Sequence, residues 1–585
     1  MTISEALEIS RAKTHEPQQD YNVVLACSFT PLHLQTFLAA HLKQRNPRLK
    51  VNIRAGVFGD LAGTLENAAK HPADAIAIAI EWQDLDQRLG YREAGTWGPA
   101  LETDLFQSLP NTIQRLETAI AQAAASGLAA VSLPTLPFPP AFHGPRCEAG
   151  GAELLLKCEV MALAQRLSSI RNVRVLNAEW LANTSPTGAR LDLKSDLLIG
   201  SPYSLGHADA LAAGLAHLLL PAQPLKGIIV DLDNTFWNGI VGEVGADAVR
   251  WDSASSYHLH GLFQKTLCAL ADEGVLVGVA SKNDPAVVGE AFKRADLLIP
   301  PEKIFPIEVH WAAKSESVAR ILKAWNISAD AVAFVDDTPL ELAEVANAHP
   351  GITCLQFPAG DYHGVLALLK KMRDLFGKHG AGQATEEDRL RLESLRKGAE
   401  FKNELEQGGG SEEFLKQVNA TVTLDWEVAP DNPRILELVN KTNQFNLNGS
   451  RYTAAEWQKS TARPGSFVIA VKYEDKFGPL GTIAVIHGTR GSAGVNIDSW
   501  VMSCRAFSRR IEHQCLRAMF AQFGVPEIAL RFAETAKNGP VRDFLAANAD
   551  PGTEGRVIIT QKRFRSVCPA LYHRVEELTG VQANG

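Results

Sequence analysis

From about residue 20 to 222, short apolar runs alternate with amphipathic stretches of helix length. The runs are NVVLAC (22–27), VNIRAGVF (51–58), ADAIAIAI (73–80), GLAAVSL (127–133) and NVRVLNA (172–178). Helical segments such as 31–43, 103–126 and 151–168 separate most of them. Strands parted by helices predict a parallel sheet covered on both faces. PTLPFPPAFHGP (134–145) is too rich in proline for either element and reads as a loop. PAQP (221–224) ends this first unit, 1–222.

The pattern then restarts. GIIVDLDN is a buried strand that runs into acids. A helix near 257–273, strand 275–281, helices 285–294 and 312–325, strand 331–337, helix 339–347 and strand 352–357 follow, a second α/β unit over 223–376. Residues 377–412 are charged and end in glycines, the composition of a linker around an exposed helix. Beyond 413 three strands come in succession (467–475, 480–488, 495–504). A helix (508–523), a strand (527–534), a helix (539–547) and a last strand (556–561) follow, which makes 413–585 an α+β domain. The expected fold class is therefore α/β, two doubly wound Rossmann-like domains followed by an α+β domain.

Length agrees, since 585 residues correspond to three or four domains at about 150 residues each. A net charge of −8 argues against a mainly electrostatic binder of nucleic acid or membrane. The polar N-terminal stretch does not read as a secretory signal, and no run of apolar residues is long enough for a span. The eight cysteines are scattered without a C-x-x-C pair, so neither a disulfide framework nor a zinc site is expected, and a reducing cytoplasm is the expected compartment.

The candidate chemistry lies at strand ends. Asp231 and Asp233, in DLDNT, close an apolar strand where open α/β sheets bind ligands. One carboxylate there can attack phosphorus while the other carries a proton to and from the leaving group. Carboxylates beside a phosphate repel it, so a cation is needed, and Mg²⁺ suits oxygen ligands. Ser281 (VASKND) can hydrogen-bond phosphoryl oxygens, and Lys314 (HWAAKSES) can neutralise them. Asp336 and Asp337 (FVDDTP) join Asp231 and Asp233 as expected metal ligands.

This series resembles the haloacid dehalogenase superfamily of aspartyl-phosphate phosphohydrolases. The stretch between Asp233 and Ser281 holds only NGIVGEVGADAV, read as a small hairpin flap, and one helix, so the resemblance implies a capless member. DLDNTFWNGIVGEVG, FVDDTPLELAEV and NKTNQFNLNGSRYTAAEW together resemble the FkbH-like proteins of polyketide pathways. That resemblance implies dephosphorylation of 1,3-bisphosphoglycerate and loading of a glyceryl unit onto the phosphopantetheine arm of an acyl carrier protein. A plain phosphatase acting on a phosphorylated sugar or glycan precursor is the alternative, and a non-enzymatic carrier-docking platform is a third reading.

Glyceryl transfer in that family implies a cysteine thioester. Cys504 (SWVMSCRAFSRR) precedes a predicted helix and adjoins Arg505, a setting that lowers a thiol pKa, and Cys27 is the rival. The last domain resembles an N-acetyltransferase fold, but Ser508 and Arg510 occupy positions that are small in its pyrophosphate loop. A phosphopantetheine arm is the expected ligand there, with Arg505, Arg509 and Arg510 facing its phosphate or an acidic carrier. The same arginines read equally well as a solvated helix start. Asn443, Gln444 and Asn446 read by default as a helix C-terminal turn. The first domain resembles an SGNH hydrolase, with Ser28 after the first strand. No D-x-x-H pair accompanies it, and His207 lacks an acid three residues earlier, so a scaffold or docking role is expected, with Trp82, Asp84 and Arg88 structural.

Overall fold

The computed structural model describes residues 1–12, 19–71, 73–92, 101–125, 127–144, 147–251, 257–377, 395–396, 411–426, 428–429, 432–442, 445–476, 478–491, 494–503, 506–507, 509–535, 538–549 and 557–578. The chain folds as two compact units, which part between Gln223 and Pro224.

In the first unit, strands β1 (Gln19–Ala26), β2 (Leu49–Ala55), β3 (Ala75–Ala79), β4 (Leu128–Ser132) and β5 (Val173–Val175) form a parallel sheet in the order β2-β1-β3-β4-β5. Each strand has the burial its sequence dictates. β1 begins polar and exposed and ends buried, and all five residues of β3 are buried in an Ala/Ile run with apolar layers on both faces. Asp60, Asn177 and Ser204 each cap the helix that follows by accepting a backbone N–H.

The second unit contains two sheets. β6 (Gly227–Val230), β7 (Leu276–Ser281), β8 (Ile304–Val309), β9 (Val332–Asp336) and β10 (Thr353–Gln356) are parallel in the order β10-β9-β6-β7-β8. The central strands β6, β7 and β9 are buried throughout. Edge strand β8 is absent from the sequence reading. Pro306 in its middle and charged Glu308 disguise it, and proline is tolerated there because only one side needs ladder partners. Helix Tyr362–Phe376, also unread, packs Val365, Leu368, Met372 and Phe376 into this core.

The expected hairpin flap is instead a compact turn. Asn238 and Arg250 make one antiparallel bridge around a single helical turn, Val241–Val244. Arg294 pins it down. Its guanidinium donates to the carbonyls of Ala246 and Val249 and lies 4.0 Å over the Trp251 ring.

The remaining sheet is mixed, and the expected succession of three strands forms its centre. β11 (Thr421–Asp425), β13 (Ser466–Asp475), β14 (Gly478–Gly491), β15 (Gly494–Met502), β16 (Glu527–Leu530), β17 (Val557–Thr560) and β18 (Arg574–Leu578) run in the order β17-β16-β15-β14-β13-β11-β18, and β12 (Phe445–Asn446) pairs with β15. β13, β14 and β15 form the antiparallel meander, whereas β15–β16 and β11–β18 are parallel.

Candidate active site

Polar side chains gather at the C-terminal ends of β6, β7 and β9 and at the start of helix Lys314–Trp325. After β6 the chain continues pairing for one residue, Asp231 N–H donating to Val335 O at 2.9 Å, and then folds sharply. The backbone N–H groups of Phe236 and Trp237 both return to Leu232 O, and Asn234 sits at φ +55°, a left-handed conformation that asparagine tolerates. Leu232, Phe236 and Trp237 are wholly buried and anchor the turn. Asp231 is thereby fixed at the sheet edge.

Lys314, the first residue of helix Lys314–Trp325, is buried between two acids. Its Nζ lies 3.0 Å from Asp231 Oδ1 and 2.6 Å from Asp336 Oδ2. Asp336 is fully buried at the end of β9, and its Oδ1 accepts the Thr338 N–H at 2.9 Å. Asp231, Asp336 and half-buried Asp337 place carboxylate oxygens within 4.8 Å of one another. Burial raises the pKa of Asp231, and the Asp336 charge adds to this against Lys314. Burial likewise raises Asp336. Burial opposes the Lys314 ammonium, but the two carboxylates outweigh it and its pKa rises. Three carboxylates thus lie together with one ammonium that pairs two of them, so the cluster carries surplus negative charge on hard oxygen donors. That donor set fits a divalent cation such as Mg²⁺.

Asp233, expected among the metal ligands, stands outside this cluster. Its Oδ1 accepts the Trp237 indole N–H at 2.9 Å and the Val241 N–H at 3.1 Å. Its Oδ2 accepts Asn283 Nδ2 at 2.9 Å, and the same amide donates to Ser281 Oγ at 3.0 Å. Asn283 and Trp237 escaped the sequence reading. Asn283 lies two residues beyond Ser281, in the turn from β7 into helix Pro285–Phe292, and only that nearness to a predicted site residue could have pointed to it. Nearby, Lys282 pairs with Glu341 at 2.8 Å and ties the end of β7 to helix Pro339–Ala348.

The polar groups at the edge of the first sheet are bonded to each other. Ser28 Oγ accepts Gln83 Nε2 at 3.1 Å and donates to Asp84, whose pKa burial raises to about 6. His207 bonds Thr135 Oγ1 (2.9 Å) and Ser185 Oγ (3.0 Å), not Ser28. Thr135 gives its hydroxyl hydrogen to Glu81 at 2.5 Å, and Tyr203 donates to the same carboxyl oxygen at 2.6 Å. Thr135 therefore accepts from His207 Nε2–H, which leaves Nδ1 to accept from Ser185, the pattern of a neutral imidazole. Burial lowers His207 to about 3, with Arg190 adding to the effect, and raises Glu81 to about 7. Trp82 stacks on Phe138 at 4.0 Å, Asp84 caps the Glu81 N–H, and Arg88 pairs with Asp86 and Asp104. Burial pushes the Cys27 thiol up to about 12, so it is a poor nucleophile.

Cys504, Arg505, Ser508, Asn443 and Gln444 lie outside the described residues. Buried Arg509 turns its Nε toward buried Asp475 at 3.3 Å, and Arg510 donates to Ala570 O at 2.8 Å. Asn446 is buried and its amide donates to Thr442 O.

No protein-family model matches the sequence, and no curated protein matches it by sequence comparison. Among solved structures, the N-terminal part of the protein BF1531 from Bacteroides fragilis, described as containing a phosphatase domain complexed with Mg, superposes with a TM-score of 0.51. Identity is 17%, over 65% of this chain and 99% of that one. At that identity the likeness shows the fold alone, an α/β architecture built on parallel sheets. An uncharacterized protein from Corynebacterium glutamicum matches 26% of this chain and 98% of its own at 16% identity, with a TM-score of 0.19, too low to bear on the fold. Among the described residues no helix is long and apolar enough to cross a membrane.

Proposed function

We propose that the chain is a Mg²⁺-dependent phosphohydrolase that works through an aspartyl phosphate on Asp231. The observation that carries this is Lys314 held between Asp231 and Asp336 with Asp337 completing a tight carboxylate cluster. The phosphatase domain of similar fold was crystallised with Mg, which supports the same cation here. Asp231, Asp336 and Asp337 would hold it, and bound Mg²⁺ supplies positive charge against the phosphoryl oxygens.

The chain's own groups divide the work. An Asp231 carboxylate oxygen attacks phosphorus, and the bond from phosphorus to the leaving oxygen breaks. Asp233 gives that oxygen a proton. Water then attacks the phosphorus of the aspartyl phosphate, Asp233 takes the water proton, and inorganic phosphate leaves with Asp231 restored. Ser281 donates its hydroxyl to a phosphoryl oxygen and Lys314 balances charge, so the site stabilises the transition state electrostatically.

The finer reading is glyceryl loading. In 1,3-bisphosphoglycerate the acyl phosphate is an activated carboxyl group. A thiolate, Cys504 in this proposal, displaces that phosphate to give a thioester, and a carrier phosphopantetheine thiol collects the acyl group. The phosphate ester at the other end is the substrate of Asp231. The quoted FkbH-like motifs support this reading. Its test is intact-mass measurement of an acyl carrier protein incubated with enzyme, Mg²⁺ and donor. A glyceryl mass gain is expected, lost in Cys504→Ala while phosphate release from a simple ester persists. Phosphate release with an unmodified carrier would leave a plain phosphatase.

A further inference from the structure

Asp233 is a short side chain on a tight turn, yet its orientation is over-determined. Three N–H groups from three segments converge on it. Trp237 Nε1 comes from its own turn, Val241 N from the flap, and Asn283 Nδ2 from beyond β7. The first two hold Oδ1. Trp237 is wholly buried and packed against Phe236, Trp251 and Phe292, so its N–H has no freedom to follow the carboxylate. Oδ2 is held by Asn283 and keeps a lone pair for a proton bound for the leaving oxygen.

Asn283 is itself buried, and both its amide hydrogens are used, one on Asp233 Oδ2 and one on Ser281 Oγ. The second bond has a directional consequence. A serine oxygen that accepts from Asn283 has its own hydrogen left to donate elsewhere. One amide thereby fixes the group on the leaving side and turns the Ser281 hydroxyl into a donor for the phosphoryl side.

We propose that Asn283 is a positioning residue for the phosphoryl-transfer reaction, setting the rotamer of Asp233 and the donor direction of Ser281 together. This rests on the roles given to Asp233 and Ser281 above. A misdirected proton donor matters most when the leaving group is a poor one, because a good leaving group departs without protonation. Loss of Asn283 should therefore be selective by leaving group, whereas loss of a mere packing residue should not.

The test uses full-length enzyme and the near-isosteric Asn283→Asp, which keeps the volume and removes the donor, with Asn283→Ala beside it. Rates are measured with Mg²⁺ on an alkyl phosphate and on p-nitrophenyl phosphate. Both variants should lose about a hundredfold in kcat on the alkyl ester and no more than about tenfold on the nitrophenyl ester. Equal losses on both esters would overturn the proposal. A second readout needs no turnover. The Trp237 indole N–H resonance, assigned by Trp237→Phe, should shift in Asn283→Asp as the Asp233 carboxylate loses its anchor, while the Trp325 and Trp500 resonances stay in place. An unmoved Trp237 signal would also overturn it. If wild-type enzyme releases no phosphate from either ester, the phosphohydrolase reading fails, and the indole resonance still decides whether Asn283 sets Asp233.

Discussion

Two five-stranded parallel sheets in this chain end in polar residues, and they use them in opposite ways. At the edge of the first, Ser28, Gln83 and Asp84 bond one another, and Glu81, Thr135, Tyr203, His207 and Ser185 form a second closed network. At the edge of the second, Asp231, Asp336 and Asp337 crowd together with one lysine pairing the first two and negative charge left over. Burial raises carboxyl pKa values at both edges, so a shifted acid does not by itself mark a reactive site. What distinguishes them is closure. A network whose donors and acceptors are matched has nothing left to offer a ligand, while an excess of negative charge calls for a counter-ion.

The contrast breaks most sharply at Asp231. Asp231→Asn should lower phosphate release by at least about a thousandfold, roughly 4 kcal/mol in the barrier, because an amide cannot form the aspartyl phosphate. A variant keeping a tenth of wild-type turnover would remove Asp231 from that role. Next comes the cation. Enzyme treated with EDTA should release no phosphate until Mg²⁺ is returned, and Asp336→Ala should raise the Mg²⁺ needed for half-maximal rate by about a hundredfold. Normal turnover in EDTA would refute the metal assignment.

A smaller effect, on stability and not on rate, is expected at the closed network. Glu81→Ala leaves Tyr203 and Thr135 without their acceptor and should cost about 3 kcal/mol in urea unfolding while phosphate release is unchanged. Loss of phosphate release in a folded variant would show that the first unit takes part in the reaction.

The smallest effect sharpens the comparison through pH. Glu81 is raised from 4.5 to about 7, so the folded chain holds its proton where the unfolded chain has lost it, and this group makes stability fall as pH rises across that window. His207 is lowered from 6.5 to about 3, so the folded chain releases a proton the unfolded chain keeps, and stability rises with pH there. The two oppose each other between pH 4.5 and 6.5. Glu81→Gln should leave the urea midpoint rising with pH in that window, and His207→Gln should leave it falling. Parallel profiles in the two variants would refute the assignment.

The acids at the ends of β6 and β9, with Ser281 and Lys314, were legible because each terminates an apolar run or opens a helix, positions where a buried charge demands a reason. Asn283 and Trp237 were not, since their role is a hydrogen bond to another side chain and leaves no periodic trace. β8 was hidden by Pro306, and β11, β12 and β18 are short or flanked by polar residues. The reading of His207 as an orphan looked along the sequence for an acid three residues away. Its partners, Thr135 and Ser185, come from loops distant in sequence. Strand alternation alone would put Asp233 on the same side as Asp231, the arrangement expected of two metal ligands, but the strand ends at Val230 and the turn at Asn234 brings Asp233 to the N–H groups of Trp237, Val241 and Asn283 instead.

The flap pinned by Arg294 has a kinetic meaning. Its two carbonyl bonds and the Trp251 stack fix the segment that bears Val241, and with it one of the groups that hold Asp233. A mouth edged by such a segment has no slow opening step in that edge to impose on the reaction cycle. On the proposed phosphohydrolase reading, turnover should then be paced by chemistry or by the diffusive departure of products, with drag from a viscous solvent acting on the molecules that enter and leave and not on the flap itself.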